Sequence, residues 1–219
     1  MNIEINTHSS IRINGSRVIY FDPFEVSKYP FSVGSEPHDA DIIFVTHEHF
    51  DHFDPESISA VAKVDTILVC PDSMTRRAKK ESGLDKEWIE GLVPGDEIEI
   101  DDVKISAVPS YNVDKPNHPK KNEWLGYVVS LDDETIYVAG DTDVNDDIKK
   151  VSCDTALVPV GGTYTMDLNE AAEFIAEIKP KKAVPTHYGS IVGNKTDGEA
   201  FSKAVKNLDN SIEVEVLIK

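Results

Sequence analysis

Apolar residues in this chain fall into short runs closed by polar or turn-forming residues, a pattern that predicts strands more often than helices. The runs "ADIIFVTH", "TILVC", "TALVPV" and "KKAVPTH" are rich in β-branched residues and short enough to be buried strands. "IEINTHSSIRI" leads through Asn14-Gly15 into "SRVIYFD", and Asn-Gly between two such runs predicts a hairpin. Asp101-Asp102 closes another between "DEIEI" and "VKISAVP". Asp132-Asp133-Glu134 closes a third between "LGYVVSL" and "TIYVAGD", and "IEVEVLI" reads as a last strand.

Helical signals are fewer and better signposted. Pro55 can occupy the first position of a helix running to about Lys63, and Pro71 to Glu81 forms a second before Gly83. Asp167 followed by Glu170 is a capping box. Behind it Leu168, Ala171, Ala172, Ile175 and Ile178 make an apolar stripe that stops before Pro180. Asp197 to Asn207 is the last helix. "SYNVDKPNHPKKNEW", polar and broken by Pro116 and Pro119, is a loop. Each half runs strands first and helices later, with no long linker. The expectation is therefore one domain over residues 1–219, of α/β class, with two sheets sandwiched between helices around one core.

Composition narrows the partners. The 40 acidic residues against 22 basic ones give a formal charge of -18, which disfavours nucleic acid and anionic membranes, and the scarcity of extra loops makes a small-molecule substrate the expected partner. No apolar run approaches the length of a membrane span, and "MNIEINTHSS" lacks a basic-then-apolar leader, so the expected setting is cytoplasmic. Cys70 and Cys153 form no CxxC pair and are expected as reduced, buried thiols. Open strand edges allow a homo-oligomer.

The candidate chemistry sits in "FVTHEHFDHFD", where three histidines and three acidic residues follow an apolar strand. Crowding that many titratable groups shifts their pKa values by several units unless a cation neutralises them. Imidazole and carboxylate are zinc-type ligands, and a donor set without cysteine suggests a catalytic site. One metal would take His47 and His49; another could take Asp51 and His52. Neither set closes a coordination sphere, and further donors stand at or near strand ends: Asp141 after "TIYVAG", His187 after "KKAVPT", and His118 in the loop before Trp124. A carboxylate among them can bridge two cations that hold and acidify one water. Isolated histidines such as His38 read as structural, and Phe50 as core or pocket wall.

These residues match a known pattern. "THEHFDHFD" resembles the HxHxDH signature of the metallo-β-lactamase superfamily. "AGDTD" and "PTHYG" are similar to its later Asp and His motifs, in the same order and over nearly the whole chain. "PVGGTYTM" and "HYG" add a likeness to small hydrolase-like members related to the ascorbate-6-phosphate lactonase branch. The resemblance implies a four-layer αββα sandwich with two divalent cations at one edge, Zn2+ first and Mn2+ as an alternative. It assigns His47 and His49 to the first cation, Asp51, His52 and His187 to the second, and Asp141 to the bridge. Members usually supply a third histidine to the first cation at the strand end that here reads Tyr111-Asn112. Either the loop folds back and His118 fills that position, the preferred reading, or Asn112 or water does.

"THSS" resembles the "GHSS" of small members, so His8 is expected near the metals or the substrate, or as a hydrogen-bonding residue of the sandwich. Asp22 in "YFDPF" resembles an aspartate that supports the metal shell from behind. The implied reaction is hydrolysis of a small ester, lactone or phosphoester by a hydroxide held between the cations, with Asp51 orienting it as the catalytic carboxylate. Thr163, Tyr164 and Tyr188 are candidates for substrate contacts or for packing, and His8, His118 or a metal-bound water for protonating the leaving group. A metal-binding module without turnover is the rival reading. The diiron branch of this fold carries an acidic residue where this chain has His49.

Overall fold

In the computed structural model, which describes residues 1–218, the chain divides into two compact units, Met1–Val93 and Pro94–Lys219. The first unit runs β1 (Asn2–Thr7), β2 (Ser10–Asn14), β3 (Val18–Phe21), β4 (Ala40–Phe44), α1 (Pro55–Val61), β5 (Ala62–Pro71), α2 (Thr75–Glu81) and β6 (Ile89–Leu92). These strands form one sheet in sequence order. β1, β2 and β3 pair antiparallel, and β3 to β6 pair parallel. Alternate residues of the parallel strands are buried on both faces: Tyr20, Ile43 and Leu68 join α1 and α2 in one cluster, while Ile19, Phe21, Ile42 and Phe44 are equally buried. Burial on both faces is what continuous apolar runs such as "DIIFV" demand of a parallel sheet.

The second unit repeats this order. It contains β7 (Glu97–Ile100), β8 (Val103–Pro109), β9 (Leu125–Leu131), β10 (Glu134–Val138), β11 (Thr155–Pro159), α3 (Leu168–Ile178), β12 (Lys182–Thr186), α4 (Asp197–Leu208) and β13 (Glu213–Val214). β7 to β10 form an antiparallel meander, and β10 to β13 continue as parallel strands. α3 begins as the capping box requires: Asp167 Oδ1 accepts from the backbone N–H groups of Asn169 and Glu170 at 2.8 and 2.9 Å, and Glu170 Oε2 accepts from the Asp167 N–H at 2.8 Å. Its Ala171, Ala172, Phe174 and Ile175 pack with Phe201 and Val205 of α4 beneath Ala156, Val158 and Ala183.

The α/β class with two sheets and the three hairpins agree with the sequence reading. Four local differences have physical reasons. "IEINTHSSIRI" is two strands, because the chain turns at His8 in the left-handed region at φ 53°. α1 stops at Val61, since Ala62 is already extended and opens β5, a strand longer than "TILVC". "IEVEVLI" pairs only over Glu213–Val214. "WIEGL" adds β6, hidden in the sequence because it lacks a clean alternation. Cys70 is buried and Cys153 half-buried, both free, and burial pushes each thiol up to about 12. No helix among the described residues is long and apolar enough to cross a membrane.

Candidate metal centre

In the first unit the histidine-rich segment is clamped at both ends. The Val45 N–H continues the β4–β5 pairing by donating to the Val69 carbonyl at 2.9 Å. After it the chain turns, with the N–H groups of His52 and Phe53 both directed at the His49 carbonyl, and Phe53 is buried in the core. Asp54 then caps α1, accepting from the Glu56 N–H and, at 2.6 Å, from the Ser57 hydroxyl. Asp54 therefore serves the helix and not the cluster. Glu48 points outward, beside Arg77.

Asp22 organises the inner side of this turn. It is fully buried, in the left-handed region at φ 44°, and its N–H donates to the Phe44 carbonyl. One carboxylate oxygen accepts from the Thr46 N–H at 2.8 Å. The other accepts from the Thr46 hydroxyl and from His52 Nδ1, both at 2.7 Å. Burial pushes the Asp22 carboxyl up, and its bonds to His52 and Thr46 oppose that.

These bonds fix tautomers. A carboxylate only accepts, so His52 Nδ1 carries a hydrogen and its Nε2 keeps the lone pair. The Thr46 hydroxyl spends its hydrogen on Asp22, so at 3.0 Å it accepts from His47 Nδ1, which puts the lone pair of the neutral His47 ring on Nε2 as well. His47 Nε2 lies 3.0 Å from His49 Nδ1. On the other side, His8, Asp51 and His52 each offer a ligand atom within 4.8 Å of one another. His8 Nε2 is 3.1 Å from Asp51 Oδ2, and His52 Nε2 is 3.7 Å from the same oxygen. His8 reaches Asp51 because the β1–β2 register slips between Ile5 and Thr7 just before the left-handed turn. Such an irregularity re-aims a side chain.

The second unit gathers donors from three distant places. Asp141 follows β10 after Gly140, and His187 follows β12 at φ 58°. Asp141 Oδ2 lies 3.0 Å from His187 Nε2 and 3.3 Å from His118 Nε2. His118 arrives by a closed loop. The Asn112 N–H donates to the His118 carbonyl at 2.8 Å, and Lys115 is tied to Asp143 and to the Thr165 carbonyl. His118 Nδ1 donates to the Tyr164 carbonyl at 3.1 Å, so in the neutral ring Nε2 carries the lone pair and faces the Asp141 carboxylate. Two acceptors at that distance repel unless a proton or a metal cation lies between them. Asn112 Nδ2 donates to the same carbonyl at 2.7 Å, while Asn112 Oδ1 is buried without a hydrogen-bond partner. A Cβ on Gly161 would run into the His187 carbonyl, so only glycine lets this strand end approach so closely.

The structure thus brings His8, Asp22, His47, His49, Asp51 and His52 together in one unit, and Asn112, His118, Asp141 and His187 in the other. Thr163 and Tyr164 are exposed, and the Tyr164 backbone rather than its ring meets His118. Tyr188 is corrected: its ring is fully buried under α4, with its hydroxyl donating to the Ile218 carbonyl, so it is a core residue and not a substrate contact. Phe50 is 66 % exposed, its ring meeting that of Phe24 edge-on at 6.0 Å, which excludes a core role. Thr46 was not singled out from sequence; the hydroxyl immediately before the first signature histidine was the available signal.

Comparison with known proteins agrees with this chemistry. Residues 2–187 match the family model described as the β-lactamase superfamily domain. The UPF0173 metal-dependent hydrolase of Pyrococcus horikoshii is 35% identical over 207 residues, covering 90% of this chain and 89% of that protein. A solved structure from Parabacteroides distasonis, designated a candidate metal-dependent hydrolase, superposes with a TM-score of 0.79 at 31% identity, over 99% of this chain and 93% of that one. A metallo hydrolase from Ignicoccus hospitalis shares the fold at a TM-score of 0.79 and 20% identity, over 98% of this chain and 93% of that one. On this evidence the chain belongs to the metallo-β-lactamase superfamily, within its UPF0173 group of metal-dependent hydrolases.

Proposed function

We propose that the two donor sets act as one centre for two divalent cations, Zn2+ before Mn2+, and that the protein hydrolyses a small ester, lactone or phosphoester. His47, His49 and His118 would hold one cation, Asp51, His52 and His187 the other, and Asp141 both. The donor chemistry fits: nitrogen and oxygen ligands, no thiolate, and imidazoles whose Nδ1 atoms are already engaged by Thr46, Asp22 and the Tyr164 carbonyl. That tautomer control, running from Asp22 through Thr46 to His47 and His52, is the observation that carries the reading. Because neither unit alone offers a complete set, both are read as parts of one functional domain. Free cysteines support a reducing, cytoplasmic setting.

When bound, such cations polarise a substrate oxygen and lower the pKa of water at neutral pH. The chain's own residues do the positioning. Asp51, steadied by His8 at 3.1 Å, orients the attacking water. Asp22 and Thr46 keep His47 and His52 from rotating, and the Tyr164 carbonyl does the same for His118. Asn112 leans on the same carbonyl and supports His118 without replacing it.

The test is elemental analysis of the purified protein, paired with turnover before and after chelation. Two metal equivalents per chain, and activity restored by zinc or manganese, are expected. His118→Ala should lower the count or the affinity at one position. Unchanged stoichiometry and affinity in that variant would remove His118 from the donor set. Full metal with no turnover across ester, lactone and phosphodiester substrates would favour a binding module instead.

A further inference from the structure

Resting on the hydrolase reading, we infer that the substrate is an uncharged ester or lactone with an apolar acyl part, and not a phosphoester. The first observation is where exposed apolar side chains stand. In the second unit Val113 is 59 % exposed, Ile191 42 % and Tyr164 40 %. Val113 directly follows Asn112, whose amide bonds the carbonyl of Tyr164, and that carbonyl is also the partner of His118. Ile191 lies in the segment just after His187, where its neighbour Val192 would meet a Cβ placed on Gly161. The loops that carry His118 and His187 thus display apolar surface to solvent. The first unit does the same independently, since Phe50 stands between His49 and Asp51 at 66 % exposure. Large apolar residues are exposed elsewhere too, Val64 at 93 % among them; the informative feature is that the His49–Asp51 turn and the segments that carry His118 and His187 each place such a side chain within a few residues of a donor.

The second observation is the state of the nearby cations. A phosphoester keeps negative charge through the reaction and is normally met by arginine or lysine as well as metal. In the second unit Lys115 is held by Asp143 and Lys120 by Asp147 at 2.9 Å. In the first, Arg77 donates to Glu81 at 2.9 Å and to the Glu48 carbonyl at 2.6 Å. Each is neutralised within its own unit, in a chain of net charge -18. Lys195, exposed beside Gly189 on the His187 loop, and Lys121, exposed on the His118 loop, are the cations placed to greet an anion, and Lys195 enters the test for that reason.

In the reaction water's oxygen bonds the acyl carbon, and the acyl carbon–oxygen bond breaks with its electron pair going to the leaving group. With a nitrophenyl ester the products are carboxylate and nitrophenolate, and both protons of the water pass to solvent. The experiment compares p-nitrophenyl acetate, butyrate and hexanoate with p-nitrophenyl phosphate and bis(p-nitrophenyl) phosphate, using full-length protein of measured metal content. The expected result is a kcat/KM for butyrate at least about tenfold above either phosphoester, rising about two- to fourfold per added methylene. Val113→Asp and Ile191→Asp should raise KM for hexanoate more than for acetate, with metal content unchanged, and Lys195→Ala should leave ester turnover intact. Preference for a phosphoester, loss of it in Lys195→Ala, or indifference to chain length overturns the inference while the hydrolase reading stands. Absence of turnover by metal-replete protein on all five and on an aliphatic lactone removes both.

Discussion

In the unit from Met1 to Val93, four candidate ligands are neighbours in sequence and are propped from afar; in the unit from Pro94 onward, three are distant in sequence and prop one another. His47, His49, Asp51 and His52 come from a single turn whose shape depends on Val45 and Phe53, while Asp22 and His8 reach in from other strands. His118, Asp141 and His187 come from a loop and two strand ends, with the Asp141 carboxylate as their common contact. The first arrangement has redundancy, because an imidazole lost from the turn leaves its companions held. The second has a hub, and losing the hub removes the common contact of two buried imidazoles.

The largest effect is therefore expected at Asp141. Asp141→Asn keeps the shape and removes the charge, and breaking a buried charged contact of this kind costs about 3–5 kcal/mol. If that loss falls on the centre, kcat/KM should drop about a thousandfold or more, with bound metal falling in parallel. A drop below tenfold in a folded, metal-replete variant would break the hub reading. Asp22→Asn should be milder. It weakens the acceptor that sets the His52 tautomer, and supporting residues of this type typically alter metal affinity about 10- to 100-fold. Chelator competition measures it. A loss as deep as that of Asp141→Asn would erase the difference between the two units.

The same contrast explains what could be read from sequence. "THEHFDH" is legible because its donors are contiguous, and chance seldom places so many ligating side chains after one apolar strand. Asp141 and His187 were legible as polar stops after strands, where parallel sheets carry their sites. His118 was harder. Six residues separate it from the strand end at Asn112, and only closure of the loop by the Asn112–His118 backbone bond and by Lys115 brings it to Asp141. Tyr188 misled because adjacency to His187 does not fix direction: the chain is left-handed at His187, and the next ring turns into the core. Thr46 was passed over because a hydroxyl carries no charge, although it links one carboxylate to two imidazoles. His8, Asp22, His118 and His187 all have positive φ, where a residue other than glycine costs about 1–2 kcal/mol. No periodicity shows where a fold tolerates such strain, and four of the eleven non-glycine positions that carry it among the described residues fall at the candidate site.

A finer test separates orientation from ligation at His8. If its Nε2 hydrogen steadies Asp51, His8→Ala should weaken metal binding about tenfold. Glutamine can place an N–H near the same point, so His8→Gln should recover most of that loss. Equal losses in both variants would make His8 a ligand, and the first unit would then hold its own donor set more completely than its neighbour does.

The smallest effect lies away from the donors, at Asp154 between β10 and β11. Its Oδ2 accepts from the Thr135 N–H and hydroxyl at 2.9 and 2.8 Å, and Lys181 approaches Oδ1 at 2.7 Å. Lys181 and then Thr135 hold the Asp154 carboxyl down at about 2, below the ordinary value near 3.9. A depressed carboxylate stabilises the fold fully above its unfolded pKa and loses that contribution as pH falls through its folded pKa. The melting temperature of the parent should exceed that of Asp154→Asn by about 2 °C from pH 7 down to roughly 5, with the gap closing between about pH 4 and 2. Metal content should not change. If it did, strand pairing at this remote end of β10 would be setting the position of Asp141 at the other end, and the hub would depend on its sheet as closely as the histidine turn depends on Val45 and Phe53.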